Sequence, residues 1–116
     1  MTRTIAALLA TLSLAACATA DPSDDPVGGP GDAQRGRVMA EVHCSGCHAI
    51  GYGTKSPYDG APTFPEIVAK GHLEDYAEAF AEGIMVPHNG RVVMPEFVLN
   101  PREIEDLFAY MKTLRK

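Results

Sequence analysis

The stretch Cys44-Ser45-Gly46-Cys47-His48 decides how the rest of the chain is interpreted. It places two thiols three positions apart and an imidazole directly after the second thiol. This spacing is typical of covalent attachment of a c-type haem, in which each thiol adds to a vinyl group of the porphyrin and the histidine ligates the iron. The motif therefore predicts that Cys44 and Cys47 carry a haem and that His48 binds its iron.

Paired cysteines also serve in thiol-disulfide exchange and in zinc sites. A redox pair needs only the two thiols, but it is usually found where a strand leads into a helix of a βαβ unit, and no such pattern surrounds Cys44. A tetrahedral zinc site needs four ligands, and no cysteine follows Cys47. Haem attachment is favoured over both, and the thiol redox pair is the next alternative.

Length and charge restrict the classes of protein. The chain has 116 residues, which suits one domain, and its formal net charge is −5 with no basic tract. This charge argues against a nucleic-acid partner, and it would also disfavour a strongly acidic protein partner at low ionic strength.

Residues 1–20 have the composition of a bacterial export signal. Arg3 gives a positive start, and the apolar run from Ile5 to Ala16 is too short to span a bilayer as a permanent helix. Leu14-Ala15-Ala16-Cys17 is similar to the lipobox of bacterial lipoproteins, in which the cysteine receives a diacylglyceryl group and becomes the new N-terminus. Ala18-Thr19-Ala20 also forms a site for ordinary secretion. The lipoprotein is the favoured hypothesis, with Cys17 as the lipidation site.

Residues 18–31 are expected to form a flexible linker, because they are rich in Pro, Gly and Asp. A lipid on Cys17 would then tether a folded domain, residues 32–116, to the periplasmic side of a bacterial membrane. If secretion is ordinary, the same domain is soluble in the periplasm.

Four helices are predicted within residues 32–116. The first begins at the N-cap Asp32 and runs toward His43, and the second begins at the capping box Thr63-Phe64-Pro65-Glu66 and stops at Gly71. The third follows an apolar rhythm from Leu73 to Ile84, with Gly83 near its end. The last begins at Asn100-Pro101-Arg102-Glu103 and runs to the C-terminal lysines and arginine.

Two segments are expected to be loops, residues 49–62 and residues 86–99, since Gly and Pro interrupt both. On the first helix, Gly36 and Ala40 are four residues apart and leave a smooth strip that allows another helix to approach closely.

This order of elements resembles that of class I cytochromes c, over the region from about Asp32 to Lys116. The resemblance implies an all-α fold in which roughly three to five helices pack around one covalent haem c and its iron. In that family the first and last helices cross at right angles, where a glycine meets an aromatic residue. By position, Gly36 and Tyr110 match this pair. The family commonly has an aromatic residue where this chain has Ala40, and Phe108 could fill part of the lost volume.

The resemblance also implies a partner for His48. Gly60-Ala61-Pro62 is similar to the family's proline-bearing loop, whose proline carbonyl accepts the Nδ1 proton of the haem histidine. Such a bond leaves Nε2 free for iron. Pro62 could equally be only a loop stiffener.

Met94 is the expected sixth ligand of the iron. Met94-Pro95-Glu96-Phe97 resembles the family's ligand loop, and the residue before a proline is held in extended backbone that can aim the thioether at a haem. Met85 and His88 are the rival ligands. Three other candidates are expected in the core or at the surface: Met39, Met111 and His72.

These features predict a one-electron carrier that is not an enzyme by itself, because an iron with both axial positions filled has no open site for substrate. Its partners would be redox proteins such as an oxidase, a dehydrogenase or a cytochrome complex. The alternative is a haem-based ligand-binding or peroxidase-like domain from which Met94 is readily displaced. A third hypothesis is an accessory thiol oxidoreductase.

Overall fold

The structure is a computed structural model and describes residues 29–88 and 91–116. The predicted export signal with Cys17, and the predicted linker as far as residue 28, lie outside the described residues. Among the described helices, none is long and apolar enough to cross a membrane.

The described chain contains helices and one small hairpin. In order, the elements are α1 (Ala33–His43), α2 (Phe64–Ala69), a 3₁₀ helix (Leu73–Tyr76), α3 (Ala77–Glu82), β1 (Ile84–His88), β2 (Arg91–Phe97) and α4 (Pro101–Lys112). The two strands pair antiparallel. Since the helices make up the packed core, the predicted all-α fold is confirmed.

Three helices begin at side-chain caps that the sequence predicted. Asp32 accepts hydrogen bonds from the backbone N–H groups of Gln34 and Arg35 at the start of α1. Thr63 and Asn100 each form a complete capping box, at the starts of α2 and α4. Such caps satisfy backbone donors that have no partner inside the helix, and each typically contributes about 1 kcal/mol.

Helices α1 and α4 pack against each other through small residues on α1. Gly36 and Ala40 are both buried, and Ala40 is fully inaccessible. The predicted smooth strip on α1 is therefore confirmed. Farther along α4, the Tyr110 hydroxyl donates a hydrogen bond of 2.9 Å to the carbonyl oxygen of Ile50.

The hydrophobic core joins α4 to the rest of the domain. Phe108 and Met111 are buried within it, whereas Met39 is only partly buried against it. The remaining buried members come from α1, α2, the 3₁₀ helix, the segments beside them and α4 itself: Ala40, Cys44, Phe64, Val68, Leu73, Leu99, Ile104 and Leu107. His72 is exposed, as predicted.

The segment predicted as helix and then loop differs from expectation in two places. Helix α3 ends before Gly83, whose φ is 105°, and Ile84 begins a strand instead of ending a helix. Residues expected to be loop form most of the hairpin β1–β2. Pro87 and Pro95 do prevent a helix. The β-branched residues around them favour extended backbone, and the two extended segments satisfy their backbone groups by pairing with each other.

The chain already contacts α4 before α1 begins. The backbone N–H of Asp32 donates a hydrogen bond of 2.6 Å to Oδ1 of Asp106. A Cβ atom on Gly31 would lie 2.0 Å from the carbonyl oxygen of Glu105. An Nη1 atom of Arg102 donates to the carbonyl oxygen of Gly29, at 3.4 Å. The last residues of the predicted linker are thus held against the first half of α4.

Candidate cofactor site

The segment Cys44–His48 forms a tight turn at the end of α1. The Cys44 N–H donates to the carbonyl oxygen of Ala40 at 2.9 Å, and the His48 N–H donates to the carbonyl oxygen of Cys44 at 2.9 Å. The turn places the side chains of Cys44, Cys47 and His48 along the same cavity. The three side chains of the sequence motif therefore also lie together in the folded structure.

The two cysteines differ in their surroundings. Cys44 is buried, with 8% of its surface exposed, whereas Cys47 is half-buried, and the two are not joined by a disulfide. Burial, and to a smaller degree the neighbouring Cys47, raises the pKa of Cys44 to about 11. Thiol-disulfide exchange enzymes instead lower the pKa of their attacking cysteine. The environment of Cys44 thus gives no support to a thiol redox pair.

His48 is oriented by the loop that precedes α2. Its Nδ1 lies 2.7 Å from the carbonyl oxygen of Pro62. Because a carbonyl can only accept, Nδ1 carries the proton, and in the neutral imidazole Nε2 then has the lone pair. This is the atom pairing that the resemblance implies. The imidazole also lies 5.9 Å from the Phe64 ring, centroid to centroid, so an apolar neighbour restricts its rotation.

Two further hydrogen bonds hold the backbone around His48. The Ala49 N–H donates to Oγ of Ser56 at 3.1 Å, and the Phe64 N–H donates to the carbonyl oxygen of Ala49 at 2.9 Å. The residue after the histidine is thereby joined to the middle of the following loop and to the start of α2.

The cavity has a volume of about 360 Å³ and mostly apolar walls. The apolar side chains come from α2, the 3₁₀ helix, α3 and α4: Phe64, Ile67, Leu73, Phe80, Leu107, Phe108 and Met111. A flat apolar macrocycle with two vinyl groups suits such walls, and the thiols and the Nε2 lone pair supply the matching donors. The residues present fit a covalent haem.

Met94 reaches the same cavity from β2. It lines the cavity together with its neighbour Pro95 and with Ile84 on β1. The structure thus brings Met94 to the cavity that His48 lines, although 46 positions separate them in the sequence. The rivals Met85 and His88 lie on β1, and their side chains are outside the part that the structure describes. Met111 also lines the cavity, but it does so as a buried member of the core.

The rim of the cavity contains residues that the sequence did not single out. Tyr58 and Tyr76 line it and remain 45% and 39% exposed. His43 and Asp59 are exposed rim residues as well, and none of the described lining residues is Lys or Arg. An aromatic residue near a haem motif is too common a signal to have identified either tyrosine in advance.

The described residues offer no protein-only metal site. In residues 29–88 and 91–116, no three or more His, Cys, Asp or Glu side chains come together in a way that could hold a metal ion. The zinc alternative therefore has no ligand set in this part of the chain.

Comparison with known proteins identifies the family to which the chain belongs. The sequence profile for Cytochrome c matches residues 33–115. The chain is 32% identical, over 84 residues, to a cytochrome c-553-like protein of Synechocystis sp., and this match covers 72% of the chain and 70% of that protein. No solved structure matches the chain significantly. The matched region contains α1, the Cys44–His48 turn, the cavity and α4, and the chain belongs to the cytochrome c family, whose cofactor is a covalently bound haem c with its iron.

Proposed function

We propose that this protein carries single electrons between redox proteins through a haem c attached to Cys44 and Cys47, with His48 and Met94 as the axial ligands. The observation that carries the proposal is that all four side chains line one apolar cavity. Membership of the cytochrome c family supports the coarser statement, that the chain is a haem-based electron carrier.

Each residue has a separate task in this proposal. When bound, the haem supplies an iron that alternates between Fe(III) and Fe(II). Cys44 and Cys47 hold the porphyrin by thioether bonds. Pro62 holds the His48 ring through the 2.7 Å bond to Nδ1, which fixes the tautomer and makes Nε2 a better donor. The apolar walls exclude water from the site.

Met94 sets the proposed chemistry apart from that of an enzyme. A thioether opposite an imidazole favours the reduced iron and therefore a relatively high potential. It also occupies the position that a substrate would need. We infer a carrier for this reason, with partners such as an oxidase, a dehydrogenase or a cytochrome complex.

Substitution of Met94 tests the assignment directly. Met94→Ala should leave the haem covalently bound, abolish the weak near-infrared sulfur-to-iron band of the oxidised protein and lower the midpoint potential. Met85→Ala is the matched control, because Met85 is the rival thioether on the opposite strand. Loss of the band in Met85→Ala, with the band intact in Met94→Ala, would show that Met85 and not Met94 is the sixth ligand.

A ligand-binding or peroxidase-like haem domain is the second candidate. One observation favours it: Met94 lies on a two-stranded hairpin, and such hairpins have little stability of their own. A hairpin that opens readily would expose the iron. Tight binding of cyanide or carbon monoxide by the purified protein would favour this candidate, whereas weak binding would favour the carrier.

The proposed location is the periplasmic side of a bacterial membrane, with a lipid on Cys17 as the tether. The support for it is the lipobox-like stretch that ends at Cys17. Cleavage after Ala20 and a soluble periplasmic protein are the alternative.

A further inference from the structure

Gly83 lies at the junction between α3 and the hairpin that carries Met94. Its φ of 105° and ψ of 99° belong to a region that side-chain-bearing residues rarely adopt. A Cβ atom there would lie 2.6 Å from Oε1 and 3.1 Å from Cγ of Glu96. The Glu96 side chain therefore folds directly over the missing side chain of Gly83.

Strand β2 is bulged beside this contact. Ile84 pairs with Phe97 and Val86 pairs with Met94, so two steps along β1 correspond to three steps along β2. The extra residue falls within Pro95-Glu96. A bulge suits Pro95, which has no N–H to contribute to strand pairing.

A bulge bends a strand and redirects its side chains. Here Met94 and Pro95 line the cavity, whereas Glu96 is exposed and lies over Gly83. The bulge thus separates two parts of β2: Met94 and Pro95, which line the cavity, and Glu96, which lies over Gly83 at the end of α3.

The base of the hairpin is joined to α3 by a second contact. The Leu99 N–H donates a hydrogen bond of 2.8 Å to the carbonyl oxygen of Phe80, and the Phe80 ring meets Phe108 on α4 edge to face, at 6.2 Å. Residues 80 and 99 are therefore held together against the core. The hairpin lies in the chain between these two fixed residues. The direction that the backbone takes at Gly83 therefore determines where the hairpin lies relative to the cavity.

We propose that Gly83 and Glu96 are positioning residues for the sixth ligand: their close contact holds the bulge at Pro95-Glu96 and thereby keeps the Met94 thioether at the cavity. This inference rests on the proposed function, since it takes Met94 as the ligand. It adds two residues, neither of which touches the cofactor, to the set that controls the iron.

The test compares Gly83→Ala with Gly71→Ala in the haem-loaded protein. Gly71 has a φ of 127°, and a Cβ atom there would meet nothing within 4 Å. Both substitutions therefore introduce backbone strain, but only the one at position 83 places that strain at the base of the hairpin and also requires Cγ of Glu96, at 3.1 Å, to shift together with its carboxylate. We expect Gly83→Ala to weaken the near-infrared sulfur-to-iron band and to raise the affinity of the ferric protein for imidazole about tenfold, which corresponds to about 1.4 kcal/mol. Gly71→Ala should lose stability and keep both properties.

Glu96→Ala gives an independent measurement that does not depend on the folding of Gly83→Ala. Alone, it should raise imidazole affinity several-fold, because the bulge loses its support. In the Gly83→Ala protein it should have a smaller effect, since the two residues act through one contact and their effects are then not additive.

Three results would overturn the inference. They are equal imidazole affinities in Gly83→Ala and Gly71→Ala, an unchanged affinity in Glu96→Ala, and strictly additive effects in the double variant. The underlying assignment is checked separately by the wild-type protein. A wild-type band that disappears in Met94→Ala but persists in Gly83→Ala would overturn this inference alone, and absence of the band in the wild type would overturn both.

Discussion

A Cβ atom built on Gly36 would lie 1.9 Å from the carbonyl oxygen of Asp106 and 3.0 Å from the backbone nitrogen of Leu107. The backbones of α1 and α4 are therefore in direct contact at this point. The resemblance to class I cytochromes c assigned the glycine of the helix crossing to Gly36 and its aromatic partner to Tyr110. In this chain Gly36 meets backbone of α4 one turn before Tyr110, and the tyrosine is bonded to Ile50.

Gly36→Ala should separate the two helices and destabilise the protein by about 2–4 kcal/mol, because backbone atoms cannot move aside as a flexible side chain can. Urea unfolding followed by circular dichroism measures the change. Gly51→Ala is the matched control, since a Cβ atom there would meet nothing within 4 Å and its φ is not positive. Equal losses in the two variants would show that the helix contact is not the cause.

Asp106 should make stability depend on pH in acid. Its side chain is 8% exposed and accepts hydrogen bonds from the Asp32 N–H at 2.6 Å and from Nε of Arg35 at 2.7 Å. Burial opposes its ionisation, but the bonds from Arg35 and Asp32 and the charges of Arg35 and Arg102 lower its pKa below the ordinary 3.8. The stabilisation is therefore present above pH 3.8 and is lost as the pH falls through the lowered value of the native state.

Asp106→Asn should cost about 3 kcal/mol near pH 7, because it removes the negative charge from between two guanidinium groups. The cost should shrink as the pH falls below 3.8, where the wild-type carboxyl also becomes neutral in the unfolded chain. Urea midpoints at pH 7 and pH 3 measure both effects. Glu74→Gln is the control: Glu74 forms an exposed ion pair with Lys112 at 3.0 Å, and its removal should change stability little. A pH-independent loss in Asp106→Asn would contradict the assignment.

His48→Ala should disturb maturation of the protein as well as its spectrum. The substitution removes the proposed proximal ligand of the iron, whose ring is oriented by Pro62. We expect less haem-bearing polypeptide on a denaturing gel stained for haem. His72→Ala provides the comparison, because His72 is exposed. Normal haem content in His48→Ala would show that His48 is not required for haem attachment. It would leave the role of His48 as an iron ligand unchanged.

Cys17→Ser tests the tether. If Cys17 is acylated, the wild-type protein should fractionate with membranes and take up labelled fatty acid, and the variant should be released by cleavage after Ala20 with its haem spectrum intact. Electron transfer to membrane-bound partners in intact cells should fall, since release lowers the effective concentration. The intact mass of the wild-type chain is decisive: a first residue of Asp21 without lipid would rule out the anchor.

The starts of α1, α2 and α4 could be predicted because their signals are local. Asp32, Thr63 and Asn100 cap helices whose first turns follow directly in the sequence. The haem motif is equally local, since Cys44, Cys47 and His48 lie within one turn of chain. For such features, neighbours in the sequence are also neighbours in space.

The hairpin also has a local signal in the sequence. Asn89-Gly90 separates two β-branched runs, and this dipeptide is typical of tight hairpin turns. Pro87 and Pro95 exclude a helix, as a loop would also require, but they permit bulged or edge strands.

The cluster around Asp106 could not have been predicted in the same way. Arg35 and Asp106 are 71 positions apart, and only the crossing of α1 and α4 brings them together. The contact of Glu96 with Gly83 likewise depends on the register of the hairpin, which residue types alone do not determine.

The separation of α1 and α4 along the chain has a consequence for the order of events during folding. Bringing residues 35 and 106 together closes a loop of 71 residues, which costs about 4 kcal/mol of chain entropy. Helix α4, which completes this closure, can therefore dock against α1 only once this entropy cost has been offset. Since Leu107, Phe108 and Met111 belong to the same core as Cys44, the thiol stays accessible until α4 docks. The chain thus has an interval in which Cys44 can react with a haem before its own C-terminal helix buries it.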